Sequence, residues 1–217
     1  MRPGPDPLFM YIELGFALIA LIFCLLIYFR TREAYSLTKH KGIKYFRDAF
    51  LFFGFAYLLR FLFSIVFLSR VVFDMNIERQ ILMPVFIMFL GYVSTMSILY
   101  LIFSAIWKNI SGKTTIILGH VLAILVSITA FTTRSPLAVI VIHSILTILA
   151  IIIIFHKKDN KKQTKTRILY MLVLLAWVVN LFIAGKPFLP RGFDQIFQGF
   201  ALILFIIIYY KVAKWIK

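Results

Sequence analysis

The sequence predicts an all-α integral membrane protein: a bundle of seven transmembrane helices with its N-terminus outside and its C-terminus cytoplasmic. Three observations predict it. Seven apolar runs of membrane-spanning length occupy most of the 217 residues. The residues are 62% hydrophobic and the mean hydropathy is +0.97, more apolar surface than a soluble domain of this size can hide. The cations alternate between rich and poor connections along the chain.

The runs are Leu8–Phe29, Ala49–Leu68, Ile81–Trp107, Ile116–Phe131, Leu137–Phe155, Ile168–Gly185 and Ile196–Tyr210. About 20 apolar residues in a helix cross a bilayer core. Every backbone N–H and C=O must be satisfied internally there, which selects helices over open strands. Barrel strands alternate apolar with polar residues, and these runs do not. The first run is too long for the apolar part of a signal peptide, about 7–15 residues, and lacks a small-residue cleavage site, so it is counted as helix 1. Residues 1–217 are expected to form a single membrane domain.

The net charge of +16 follows the connections. Residues 30–48 carry Arg30, Arg32, Lys39, Lys41, Lys44 and Arg47; residues 108–115 carry Lys108 and Lys113. Residues 156–167 carry Lys157, Lys158, Lys161, Lys162, Lys165 and Arg167, and the tail carries Lys211, Lys214 and Lys217. The alternate set holds only Arg2, Arg70, Arg79, Arg134, Lys186 and Arg191. By the positive-inside rule the first set is cytoplasmic. The charge thus reads as topology plus attraction to anionic lipid head groups, not as nucleic-acid binding.

Breakers and interfacial residues order the rest. Met1–Pro7 forms a short extended cap. Helix 1 is expected to run past the membrane, because Tyr28–Lys41 has no breaker, with Gly42 as its terminating residue. Tyr35, Leu37, Ile43, Tyr45 and Phe46 among the cations suit a bilayer interface. Residues 156–167 form a solvated loop. Pro136 opens helix 5, Pro187 and Pro190 end helix 6, and Lys186–Gln195 is a turn-rich outer loop. Leu68-Ser69-Arg70-Val71-Val72-Phe73-Asp74 faintly echoes Leu189-Pro190-Arg191-Gly192-Phe193-Asp194. Both are expected in outer loops, as in a parallel repeat of three plus one plus three helices.

Ionisable groups at membrane depth are expensive and need a reason. Glu13 in helix 1 and Arg60 in helix 2 stand out. At 1.5 Å per residue Arg60 lies roughly 6 Å deeper than Glu13, an offset its long stem spans, so a pair is expected. Glu13, Ala17, Ala20 and Cys24 form a small-residue stripe that faces protein. Tyr57, Arg60, Ser64 and Phe67 share one side of helix 2. Asn180, near the depth of Arg60, stands beside Trp177 in helix 6. Tyr100 in helix 3 and Gln198 in helix 7 complete the candidates for ligand binding or ion pairing. The stripes Ser97, Tyr100, Ser104 and Gly91, Thr95 read as helix-packing contacts.

The sequence indicates no catalytic residue, cofactor or metal. Cys24 is the single cysteine and lies inside helix 1. His120 and His143 stand on small-residue stripes (His120, Ala123, Ser127, Ala130; His143, Thr147, Ala150) at different depths, and read as hydrogen-bonded packing residues. Ser111-Gly112-Lys113 lacks the upstream glycine of a phosphate-binding loop. Helix 7 lacks the mid-helix lysine of a retinal protein, and helix 1 lacks the proline-glutamine pair of small seven-helix sugar transporters. Asn109-Ile110-Ser111 is a glycosylation sequon predicted to face the cytoplasm.

The arrangement resembles, in architecture and without a shared motif, the seven-helix sensor modules fused to bacterial histidine kinases. The expected function is a non-enzymatic sensor or partner-binding subunit of the cell membrane, with a small polar intramembrane site. Its signal would pass beyond Lys217 to a membrane or soluble protein partner. The alternative is a small transporter or channel using Glu13, Arg60 and Asn180. The remaining partner is the lipid bilayer, with anionic head groups at the basic inner loops.

Overall fold

The structure, a computed structural model, describes residues 7–73, 79–109, 112–156, 164–184 and 193–216. Every regular element among them is helical: α1 (Pro7–Thr38), α2 (Lys41–Phe73), α3 (Arg79–Ala105), a 3₁₀ turn (Trp107–Asn109), α4 (Gly112–Thr133), α5 (Pro136–His156), α6 (Thr164–Ala184) and α7 (Phe193–Ile216). All seven α-helices are long and apolar enough to cross a membrane. Large aliphatic side chains point away from the bundle, with Ile145 and Ile152 each 59% exposed. An apolar girdle of that kind suits lipid rather than water.

The helices outrun the apolar segments that announce them, because a helix continues into the polar interface wherever its backbone stays satisfied. α1 continues to Thr38 on i−4 back-bonds and the Arg30–Glu33 pair, whose atoms lie 2.6 Å apart. Its end corrects the expected boundary. The break falls at Lys39–His40, and Gly42 lies in the first turn of α2. Lys39 takes φ 51°, and its N–H donates to the Tyr35 carbonyl at 2.8 Å, a left-handed cap without glycine. His40 then caps α2: its carbonyl accepts from the Ile43 and Lys44 N–H groups, and its Nδ1 accepts from Gly42 N–H at 3.1 Å. Gly42 is needed for close approach, since a Cβ there would stand 2.8 Å from Trp107 Cδ1. The α4–α5 corner repeats the device, with Arg134 at φ 50°, Ser135 Oγ accepting from Leu137 N–H, and Pro136 opening α5 as expected. Both left-handed residues are cations at a helix C-terminus, where the dipole favours them.

Two further boundaries move. Leu68–Phe73, the first half of the faint echo, is helical and belongs to α2 rather than to a loop. Phe193 and Asp194 begin α7, whereas the expected Pro187 and Pro190 stops and the rest of the second half lie outside the described residues.

Successive helices alternate in direction. α1 packs beside α2 and α7, α2 beside α3, α3 beside α5, and α5 to α7 follow in order, closing a ring. α4 packs on α3, touches α5, and stands outside that ring. Two ends are distinguished below: the proximal end, where α1 begins, and the distal end, where α1 finishes. Much of the distal half is packed. Phe50, Phe205, Ile27, Met96, Ile98 and Ile208 are fully buried there, and Phe52 stacks on Tyr100 at 5.4 Å. The predicted protein-facing stripes are protein-facing: Ala17, Ala20, Cys24, Ala123, Ala130 and Ala150 have no exposed surface.

Candidate functional site

The proximal half is not filled. A cavity of about 630 Å³ opens there among α1, α2, α3, α5 and α6. Its walls are chiefly Phe, Met, Ile and Leu side chains; its polar lining comes from α1, α2, α5 and α6, with Ser94 on α3, Arg134 at the α4–α5 corner and Asp194 on α7.

Arg60 and Glu13 form an ion pair on its wall, and Arg134 and Asp194 also line it. Arg60 Nη2–H and Nε–H donate to one carboxylate oxygen of Glu13 at 3.1 and 3.3 Å. The Arg60 side chain is 17% exposed and that of Glu13 28%, so water or a ligand reaches both. The guanidinium carbon also sits 5.4 Å from the centre of the Phe16 ring, a cation–π contact that holds the plane. A guanidinium has five N–H groups. Two of its nitrogens, Nε and Nη2, are engaged by Glu13.

Tyr57 stands one turn before Arg60 on the same face of α2. Its hydroxyl donates to Asn180 Oδ1 at 2.6 Å, and Asn180 Nδ2 donates to the Ala176 carbonyl at 2.8 Å. Tyr57 also meets Phe16 edge-on, with ring centres 5.7 Å apart, so one ring array positions both the hydroxyl and the guanidinium. Ser64 and Phe67 continue this face of α2 along the wall, as their spacing predicts.

His143 adds a group that periodicity read only as packing. Thr95 Oγ donates to the Gly91 carbonyl at 2.7 Å, so its one hydrogen is committed. The 3.0 Å contact with His143 Nε2 therefore has the imidazole donating, which makes Nδ1 the acceptor nitrogen. His143 lines the cavity, with Trp177 edge-on at 5.7 Å. The signal was present in its stripe, but a stripe cannot tell a packed histidine from one beside a void. Trp177 Nε1 is buried without a hydrogen-bond partner among the described residues.

Two candidates are not brought to this place. Tyr100 lies in the distal aromatic cluster against Phe52 and Phe103, because its helix face turns toward α2 below the cavity. Gln198 is buried on α7 with Oε1 unpaired among the described residues, and does not line the cavity. Ser97 and Ser104 are packing contacts, donating to the Ala49 and Gly42 carbonyls at 3.0 and 2.7 Å. His120 accepts or donates through Nδ1 to Tyr92 at 2.8 Å, between α3 and α4. Among the described residues no three His, Cys, Asp or Glu side chains come together.

Similarity to known proteins is narrow. An uncharacterized protein of Archaeoglobus fulgidus is 28% identical over 219 residues, spanning 98% of this chain and 96% of that protein. No family model matches the chain. No solved structure matches it.

Proposed function

We propose that the chain is a non-enzymatic sensor or partner-binding subunit of the cell membrane, and that its cavity takes a small amphipathic ligand from the outer half of the bilayer. The orientation in this reading is N-terminus outside and C-terminus cytoplasmic, which rests on the cation asymmetry between alternate connections. One observation carries the rest: the Glu13–Arg60 pair borders a cavity of about 630 Å³ instead of being packed shut. Volumes of that order hold small organic ligands, and apolar walls with few convergent polar groups are what such sites use. The guanidinium, the Asn180 amide and His143 Nδ1 present donors and an acceptor to a polar head, while the Phe and Met walls suit an apolar body. The packed core between this cavity and the distal end favours sensing over passage, since a ligand bound here meets packed side chains on its way across.

A second reading is a small transporter. It is favoured by the ring order, in which α1–α3 and α5–α7 flank an outlying α4, the form of two three-helix units joined by a linker helix.

Cysteine protection tests the proposal. In a Cys24→Ala background, Ser64→Cys places a thiol on the cavity wall. The proposal expects an impermeant thiol reagent to label it in oriented membranes from the N-terminal side, more slowly when an amphipathic carboxylate such as decanoate is added. Labelling from both sides in alternation would favour the transporter. No labelling from either side would contradict an accessible site.

A further inference from the structure

A second cavity, about 280 Å³, opens at the distal end, where the Trp107–Asn109 turn meets the starts of α2 and α6 and the end of α7. It takes no part in the site above. Among the described residues its charged lining is Lys108 and Arg167. His40 lines it too. Because His40 Nδ1 accepts the Gly42 N–H, its neutral ring carries the remaining proton on Nε2, a further donor. The first described turns of α2 and α6 both border the cavity. Ser104 and Tyr170, hydrogen-bonded to one another, form a hydroxyl floor. The opposite wall is apolar, from Ile154 to Trp215, which is 42% exposed on the outside of the bundle.

We propose that this cavity binds a phosphate-bearing anion with an apolar continuation, the chemistry of an anionic phospholipid head group. Two cations and an imidazole donor answer a phosphate. The volume admits a head group and no more, leaving acyl chains to run along Ile154 and Trp215 into lipid. The apolar wall has no use for a free inorganic anion, which makes the lipid the expected source.

The test uses the full chain, delipidated in a neutral detergent, with thermal stability as the readout. Phosphatidylglycerol, diacylglycerol and inorganic phosphate are titrated separately. The proposal expects phosphatidylglycerol to raise the melting temperature and diacylglycerol, which lacks the phosphate, to leave it unchanged. Lys108→Gln, an exposed position that leaves folding intact, should weaken the apparent affinity roughly fivefold, and adding Arg167→Gln roughly fivefold again. Lys113→Gln, a cation at the same end outside the cavity, should change nothing. A shift with inorganic phosphate that Lys108→Gln removes would support the same anion site with a soluble source. A phosphatidylglycerol shift untouched by Lys108→Gln, or an equal shift with diacylglycerol, would overturn the proposal.

Discussion

Arg60 on α2 reaches Glu13 on α1 at 3.1 Å, across 47 positions of sequence, and the pair faces a cavity instead of closing one. An arginine on an apolar helix costs roughly 2.5–3.5 kcal/mol at the bilayer centre. The carboxylate offsets that cost, and the Phe16 ring beneath the guanidinium adds to it.

Removing Glu13 alone should therefore be worse than removing both charges. Glu13→Ala is expected to lose about 2–3 kcal/mol, and Glu13→Ala with Arg60→Leu only about 1 kcal/mol, because no unpaired cation remains. Equilibrium unfolding in mixed micelles measures both. A double variant less stable than the single one would show that the pair does not hold Arg60 in place.

Tyr57 and Asn180 tie α2 to α6 by one hydrogen bond. Interhelical bonds of this kind are worth about 0.6 kcal/mol and reach roughly 1.7. Tyr57→Phe should cost about 0.6–1 kcal/mol, and Tyr57→Phe with Asn180→Ala scarcely more than the Asn180 change alone. Full additivity in that double-mutant cycle would mean that the bond contributes nothing.

The α1–α2 corner makes two predictions of opposite sign. Lys39→Gly relieves a left-handed residue and should stabilise by ~0.5–1 kcal/mol, the gain being trimmed by the freer unfolded chain. Gly42→Ala forces a Cβ against Trp107 and His40 and should destabilise by about 1–3 kcal/mol. The same unfolding assay reads both, and equal signs would refute this account of the corner.

Orientation is checked by labelling. A cysteine at Asn160 should react with an impermeant reagent only from the cytoplasmic side. Asn109 should carry no glycan in a host that modifies exposed sequons. Reaction at position 160 from outside would reverse the orientation.

Much of the fold is legible in the residues, since hydropathy reports the solvent each segment meets. The Glu13–Arg60 pair is legible for a related reason: two charges in apolar helices have few partners, and the stripes Glu13–Ala17–Ala20 and Tyr57–Arg60–Ser64 aim them at one another. The corner at Lys39–His40 is not. Nothing in Thr38-Lys39-His40 breaks a helix; the break is held by a histidine cap and by Trp107 packed over Gly42, contacts made only in the folded chain. The size of the cavity is hidden too, although a small polar site is expected near these residues. An empty volume is set by how the proximal ends of the helices stand apart, and no single stripe records that separation. Tyr100 stands away from the cavity, among Phe52 and Phe103, and its spacing on helix 3 does not tell those neighbours apart from a polar site.

The central claim is that the proximal cavity holds an amphipathic ligand at the Arg60 guanidinium. Native mass spectrometry of the full chain, released from detergent after incubation with decanoate, tests it most directly. The account predicts one bound decanoate on the native protein, its occupancy reduced about tenfold or more by Ser64→Phe, which narrows the cavity beside the guanidinium, and by Arg60→Leu, which removes the charge-assisted bond. Equal decanoate occupancy on the native protein and on both variants, all remaining folded, would contradict it.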